Sequence, residues 1–130
     1  MNSLQIKLNN TVLAEQSLCQ QIEQFMLYNS ISSSHRFKIV TCVLEAVANV
    51  MQHTNDKDAE MILILHNRDN KVIIDLLDNS PLHNSQTPDK CPDIYCESGR
   101  GLWIMENWMD SVKVKQSATG THLQLSLSTL

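Results

Sequence analysis

The sequence predicts a two-layer α/β sandwich, with helices packed on one face of a mixed, mostly antiparallel sheet. Three features predict this fold class. Several short segments alternate apolar and polar residues, as strands with one buried face do. Two pairs of strand-like segments flank short polar turns, as β-hairpins do. Other segments carry apolar residues at helical spacing, as helices that pack on a sheet do.

The first elements follow from periodicity. "LQIKLN" alternates cleanly and predicts a half-buried strand. The stretch from Thr11 to about Tyr28 has apolar residues at helical spacing and predicts an amphipathic helix. "NSISSSH" ends it, and its serines offer an N-cap to a second helix, from about His35 to His53.

The remaining elements are two hairpins separated by a loop and a helix. "EMILILH" and "KVIIDLLD" join through "NRDN", and "SVKVKQ" and "THLQLSLS" join through "SATG". Between the hairpins, residues 79–98 hold three prolines and predict a lid or binding loop. "GRGLWIMENWMD" then predicts two glycines that open a short helix. The 130 residues fit one domain, spanning residues 1–130.

Composition excludes several classes of function. A net charge of −4 argues against binding to a nucleic-acid backbone. The chain has no apolar run long enough to span a membrane and no signal-peptide pattern, so a cytoplasmic location is expected. Cys91 and Cys96 bracket "PDIY", which is not a standard zinc spacing, and an ordinary loop is the preferred interpretation.

A polar stripe runs through the second helix. Glu45, Asn49 and His53 recur at every fourth position among residues typical of a core. On the strands, Asp78 shares the parity of Ile74 and Leu76, and Thr121 shares that of three buried leucines. Asp78 and Thr121 are therefore expected to face the layer that holds the stripe. A buried carboxylate without compensation is costly, so a polar pocket that is open to a ligand explains this pattern better than a polar core.

The glycines add a third wall to this pocket. Gly99 and Gly101 precede the predicted helix start, where free N–H groups favour anions such as a phosphate chain. Each element also has a simpler interpretation. Glu45 and Asn49 suit a solvated helix surface, His53 suits a helix end, and the residues after Asp78 suit a turn. A structural protein with a polar surface stripe is therefore a competing hypothesis.

The order of these motifs resembles the Bergerat (GHKL) ATP-binding fold, and in particular the anti-sigma-factor serine/threonine kinases of bacterial partner-switching systems. The resemblance covers almost the whole chain. "EAVANVMQH" resembles the N box of the family, "DNSP" its adenine-binding aspartate motif, and "SGRGLWIMENWMD" its phosphate loop. The final "GTHLQLSL" resembles its Gly-Thr motif.

The resemblance implies a role for each matching residue. Glu45 would be the catalytic base, and Asn49 would give its side-chain oxygen to Mg²⁺. Asp78 would accept a hydrogen bond from the adenine of ATP. The other implied nucleotide contacts are His53, Ser80, Gly99, Arg100, Gly101, Leu102 and Thr121. The family commonly has D-x-G-x-G where this chain has Asp78-Asn79-Ser80-Pro81-Leu82, so Ser80 and Leu82 replace two glycines beside the adenine.

The implied function is an anti-sigma factor that uses MgATP to phosphorylate a STAS-domain anti-anti-sigma protein and that sequesters a sigma factor. The resemblance also suggests a homodimer. The central hairpin is apolar on both faces, which fits either an outer face covered by a partner or second subunit or a central position in the sheet. The missing glycines motivate an alternative: a module that binds nucleotide without catalysis, or that only sequesters its partner.

Overall fold

The computed structural model describes residues 2–8, 17–53, 60–78, 97–117 and 120–130. These form five strands and three helices in the order β1, α1, α2, β2, β3, α3, β4, β5. The strands are β1 (Ser3–Leu8), β2 (Met61–Arg68), β3 (Lys71–Asp78), β4 (Ser111–Ser117) and β5 (Gly120–Ser128). The helices are α1 (Ser17–Tyr28), α2 (Ser33–His53) and α3 (Glu97–Trp108).

The strands form one sheet in the order β1-β2-β3-β5-β4. Each pair of neighbours is antiparallel, so the described strands contain no parallel pairing and the sheet is not mixed there. Strand β3 is central because the first hairpin contributes it and the second hairpin pairs with it. The predicted fold class, helices on one face of a mostly antiparallel sheet, is confirmed.

The first hairpin closes through a tight turn. Asp69 and Asn70 both have positive φ, at 53° and 58°. Two consecutive left-handed residues define the mirror-image turn whose twist matches that of paired strands, and Asp and Asn tolerate this conformation well. The turn therefore fixes the register of β2 on β3, which determines which side chains of both strands face inward.

Helices α1 and α2 are joined by two complementary caps. Ser30 has φ 59°, and Ile31 N–H donates to the carbonyl of Met26 at 3.0 Å, which closes α1 in a left-handed cap. Ser32 then caps α2, as the serine-rich stretch predicted: the Arg36 N–H donates to its carbonyl at 2.9 Å. Arg36 also donates from its guanidinium to the Ile31 carbonyl at 2.7 Å, and it pairs with Glu23 of α1 at 3.3 Å.

A single core lies between the helices and one face of the sheet. Its strand residues all belong to the same parity set, which includes Leu63 on β2, Ile74 and Leu76 on β3, and Leu125 on β5. They pack with α1 residues such as Ile22 and Met26 and with α2 residues such as Ile39 and Val43. The opposite parity set is absent from this core, so the sheet has an inner, helix-covered face and an outer face.

Two helix boundaries differ from the predictions, and two predicted segments lie outside the described residues. Helix α2 begins at Ser33, two residues earlier than predicted, because Ser32 is the serine that caps it. Helix α3 begins at Glu97, inside the predicted lid. Residues 79–96, which hold the rest of that lid with Cys91 and Cys96, lie outside the described residues, as do residues 11–16 of the first predicted helix.

The turn conformation generates a stability prediction. Asn70→Ala places a Cβ-bearing residue with no local polar compensation at φ 58° and should lower the free energy of unfolding by about 1 kcal/mol. Asn70→Gly, which accepts positive φ without strain, should cost less than Asn70→Ala. Urea unfolding monitored by circular dichroism measures both. Equal midpoints for the two variants would contradict the assigned turn.

Candidate functional site

The end of strand β3 brings two of the predicted site residues together. Asp78 is the last residue of β3 and lies directly opposite Thr121 of β5 in the antiparallel register. Residues in register point to the same face, and Asp78 has the parity of the buried Ile74 and Leu76. Asp78 and Thr121 are both partly buried, so a carboxylate and a hydroxyl sit side by side at the margin of the inner face.

Helix α2 presents the second part of the site to the same layer. Glu45 and Asn49 are partly buried, whereas their neighbours Ala46 and Val47 are packed in the core. The helix packs against β3, the strand that ends in Asp78. The stripe therefore runs along the border between the buried and exposed sides of the helix, where side chains contact both protein and solvent.

Cys42 belongs to this stripe and was not among the predicted site residues. Its side chain is fully buried, and burial, reinforced by the nearby Glu45 carboxylate, raises the pKa of the thiol from 9.0 to about 12. Lys38 opposes the shift to a smaller extent. The thiol therefore stays protonated and unreactive at neutral pH, and it occupies the stripe as a small apolar group. Its spacing of three residues from Glu45 is the sequence signal that could have identified it.

Helix α3 is oriented by an aromatic contact. The ring of Trp108, in the last turn of α3, lies 5.8 Å from the ring of Phe37, near the start of α2. The two helices pack side by side, and α2 extends back from Phe37 only to Ser33. Helix α3 must therefore run antiparallel to α2, which directs its N-terminal turn toward the half of α2 that carries Glu45 and Asn49.

The predicted glycine loop is the first part of α3 itself. Gly99, Arg100, Gly101 and Leu102 lie within the helix that begins at Glu97 and not before its start, which corrects the prediction. Glycine disfavours helix by roughly 1 kcal/mol relative to alanine, which is why the sequence pattern indicated a loop. Packing of Ile104, Met105 and Trp108 against the core stabilises the helix despite these glycines. Residues 97–99 still carry N–H groups that have no acceptor within the helix.

For two other predicted site residues, the role in the site stays a prediction. His53 is the last residue of α2, at a helix end as the simpler interpretation held, and only its backbone is described. Ser80 lies outside the described residues.

The donor atoms of the site fit a magnesium-bound phosphate better than a metal held by protein alone. Within the described ranges, no group of three or more His, Cys, Asp and Glu residues could hold a metal ion. The stripe offers one amide oxygen, from Asn49, and one carboxylate, from Glu45. Mg²⁺ commonly takes one or two protein oxygens and completes its shell with water and phosphate oxygens.

Comparison with known families agrees with this arrangement. Residues 9–127 match the model of the histidine kinase-like ATPase domain. The chain belongs to this family. The match spans all three parts of the candidate site, namely the α2 stripe, the β3–β5 pair and the start of α3. Membership makes ATP the expected ligand of the family fold.

The solved structures add a likeness of fold. The chain is similar to the crystal structure of the RsbU and RsbW domains of Rv1364c from Mycobacterium tuberculosis, with a TM-score of 0.70 and 19% sequence identity. The alignment covers 98% of this chain and 32% of that chain, so this chain spans about a third of its length. No curated protein sequence matches the chain. Of the described helices, none is both long and apolar enough to cross a membrane.

The Cys42 environment generates a prediction about pH. The thiol has a higher pKa in the folded protein, so its contribution to stability is complete below pH 9.0 and is lost as pH rises toward about 12. Urea unfolding at pH values on both sides of 9.0 should show that the free energy of unfolding falls less steeply with pH in Cys42→Ala than in the parent.

Glu45→Gln removes the second cause of the raised pKa of the Cys42 thiol. The decline of the free energy of unfolding with pH should therefore end at a lower pH than in the parent. The exposed Glu106→Gln is the matched control and should follow the parent. If Glu45→Gln and Glu106→Gln gave the same pH profile, the Glu45 carboxylate would not face Cys42.

Proposed function

We propose that the protein is an anti-sigma factor with ATP-dependent serine/threonine kinase activity. It binds MgATP between α2, the end of β3 and the start of α3, and transfers the γ-phosphoryl group to a serine or threonine of a STAS-domain anti-anti-sigma protein. The observation that carries the proposal is the register that sets Asp78 beside Thr121 on the sheet face covered by the Glu45–Asn49 helix.

Nucleotide specificity would reside at the end of the central strand. Asp78 would accept a hydrogen bond from the exocyclic amino group of adenine, and Thr121, its partner in register, would contact the same base directly or through water. Ser80 would lie beside the base where the family commonly has glycine. His53, Gly99, Arg100, Gly101 and Leu102 would complete the nucleotide contacts, with the N–H groups at the start of α3 facing the phosphates.

Phosphoryl transfer would depend on Glu45. Its carboxylate would accept the proton of the attacking hydroxyl while the new bond forms between that oxygen and the γ-phosphorus. The bond between the γ-phosphorus and its bridging oxygen breaks, and ADP leaves with the bridging oxygen. Asn49 would hold Mg²⁺, which supplies charge neutralisation at the phosphate oxygens. Glu45 and Asn49 lie one helical turn apart, so base and metal ligand would share one helix face.

The regulatory cycle would follow from this transfer. The unphosphorylated STAS protein competes for the kinase, and its phosphorylation weakens that complex and leaves the kinase free to sequester a sigma factor. The motif resemblance and the similarity in fold to a structure that contains an RsbW domain support this assignment. We further propose a cytoplasmic homodimer that makes no direct contact with nucleic acid or membrane.

The direct test combines the purified protein, MgATP and a cognate STAS protein. We expect phosphate to be incorporated at a serine or threonine of the STAS protein. When sigma factor is added, the phosphorylated STAS protein should no longer release it from the kinase. Absence of transfer in the presence of proven ATP binding would reject the kinase assignment.

Asp78→Asn should weaken MgATP binding by about 10- to 100-fold. The carboxylate acceptor becomes an amide, and the NH₂ group of that amide can face the amino group of adenine, which is also a donor. Isothermal titration calorimetry measures the change. Asp69→Asn, in the exposed hairpin turn, alters charge equally and should bind like the parent. Unchanged affinity in Asp78→Asn would remove Asp78 from the adenine site.

Glu45→Ala should lower the rate of phosphoryl transfer by about 100- to 10,000-fold, the range that general-base catalysis supplies, while MgATP binding stays within a few-fold of the parent. Rapid-quench measurement of the transferred phosphate, together with calorimetry, separates the two effects. Glu106→Ala on the exposed face of α3 is the control. Transfer at the parent rate in Glu45→Ala would show that Glu45 is not the base.

A sequestering protein without kinase activity is the second candidate. It is favoured by Ser80 and Leu82, which replace the two glycines that the family commonly has after its aspartate. Calorimetry discriminates the two, since a purely sequestering protein would bind sigma factor without detectable affinity for MgATP.

A further inference from the structure

Strand β4 lies at one end of the sheet and has an open edge. In the strand order β1-β2-β3-β5-β4, its only neighbour among the described strands is β5. In an antiparallel pair, alternate residues direct their backbone N–H and C=O groups away from the partner strand. Within the described strands, Ser111–Ser117 therefore presents a row of backbone groups to which a further strand could bind.

The inner face of β4 is apolar. Val112 and Val114 pair in register with Leu125 and Leu123, so they lie on the face that the helices cover. Val112 packs against the core, whereas Val114 is 40% exposed. The apolar layer therefore extends to the open edge of the sheet and is left partly uncovered there.

The outer face of β4 is basic. Lys113 and Lys115 are exposed and pair in register with Gln124 and His122 of β5. Neither lysine forms an ion pair with a carboxylate among the described residues, and His122 is already bound to Asp75 at 2.7 Å. Two positive charges therefore stand beside the open edge with no described counter-charge, in a chain whose net charge is −4.

The edge strand at the other end of the sheet lacks this pattern. Strand β1 carries Ser3, Gln5 and Lys7 on its outer face. Lys7 is paired with Glu60 at 3.8 Å, so the only charge on that face of β1 already has a counter-charge. Of the two edges that the described strands form, β4 alone combines apolar side chains on one face with unpaired positive charges on the other.

We propose that the edge of β4 binds an extended segment of a partner protein in which acidic and apolar residues alternate. The segment adds a strand to the sheet and bonds to the outward backbone groups of β4. Its acidic side chains lie beside Lys113 and Lys115, and its apolar side chains cover Val112 and Val114. This surface uses none of the residues of the nucleotide site and goes beyond the function proposed above.

The charge pattern selects against a second copy of the same edge. If two β4 strands paired antiparallel about Val114, Lys113 of each strand would lie opposite Lys115 of the other. Like charges directly opposite each other destabilise a pair of strands, and lysines on edge strands are a common protection against self-pairing. An acidic strand turns the same two lysines into attractive partners. The pattern that opposes self-pairing therefore favours an acidic partner.

The start of β4 is held in place by the residue that precedes it. The Asp110 carboxylate accepts a hydrogen bond from the Ser128 N–H at 2.6 Å, and the Asp110 N–H donates to the Ser126 carbonyl at 2.9 Å. Met109 and Trp108, next along the chain, pack in or against the core. Because the edge is already ordered, only the incoming segment loses conformational freedom on binding.

Binding of short synthetic peptides to the purified protein tests the proposal. The probe is a fluorescently labelled peptide of alternating glutamate and valine, about eight residues long as strands commonly are. Fluorescence anisotropy should detect binding that weakens as ionic strength rises, because salt screens exposed charge pairs. A peptide that alternates lysine with valine, and one that alternates glutamate with serine, should each bind about 10-fold more weakly, since each lacks one of the two complementary faces.

Charge reversal on the strand tests the two lysines. Lys113→Glu/Lys115→Glu should weaken binding of the glutamate–valine peptide by about 10- to 30-fold and should strengthen binding of the lysine–valine peptide. Lys7→Glu/Lys71→Glu, at two exposed lysines elsewhere in the sheet, changes the net charge equally and should bind like the parent. Circular dichroism confirms that each variant is folded. An equal loss in both double variants would show that overall charge governs binding, and would overturn the proposed edge.

Amide hydrogen exchange distinguishes strand addition from charge attraction alone. The glutamate–valine peptide should slow exchange about 10-fold or more at alternate amides of Ser111–Ser117 and should leave the amides of α1 unchanged. Binding without this protection, or no detectable binding, would overturn the proposal. Protection of the same amides in the protein alone as its concentration rises would show that a second copy occupies the edge, and would overturn it as well.

The nucleotide site provides an independent readout. MgATP binding by Lys113→Glu/Lys115→Glu should equal that of the parent, because neither lysine belongs to that site. A failure of MgATP binding or phosphoryl transfer in the parent would count against the proposed function alone, since the peptide measurements need no nucleotide.

Discussion

The register of the central strand β3 against β5 is the constraint on which the rest of the structure depends. A shift by one residue would exchange the two faces of the strand, turning Ile74 and Leu76 to solvent and Asp75 into the core. The observed register buries the apolar set completely and leaves Asp78 at the margin beside Thr121. The hydrophobic effect therefore positions the site carboxylate, since the alignment that places Asp78 is the one that buries the core.

The strands were predictable because alternation and turn chemistry agree. Asp69 and Asn70 favour the turn that the first hairpin adopts. The inward direction of Asp78 follows from the parity that it shares with the apolar Ile74 and Leu76. The start of α3 was not predictable in the same way. Gly99 and Gly101 oppose a helix locally, and the contacts that outweigh them, such as Trp108 on Phe37, join residues far apart in sequence.

The polar stripe shows where sequence patterns are ambiguous. Spacing placed Glu45 and Asn49 on one face of α2, but it could not tell a solvated surface from a pocket wall. The environment of Cys42 distinguishes the two, since burial and the Glu45 carboxylate together raise the pKa of its thiol to about 12. A carboxylate that acts on a buried neighbour lies at the edge of the core, where a ligand could displace solvent from it.

Strand β3 supplies one carboxylate to each face of the sheet. Asp75 and Asp78 are three positions apart, and an odd separation on a strand points side chains to opposite faces. Asp75 is bound by donors of β5 on the outer face, whereas Asp78 borders the helix layer beside Thr121 of that same strand. The two acidic groups are thus held by one pair of strands but in separate surroundings.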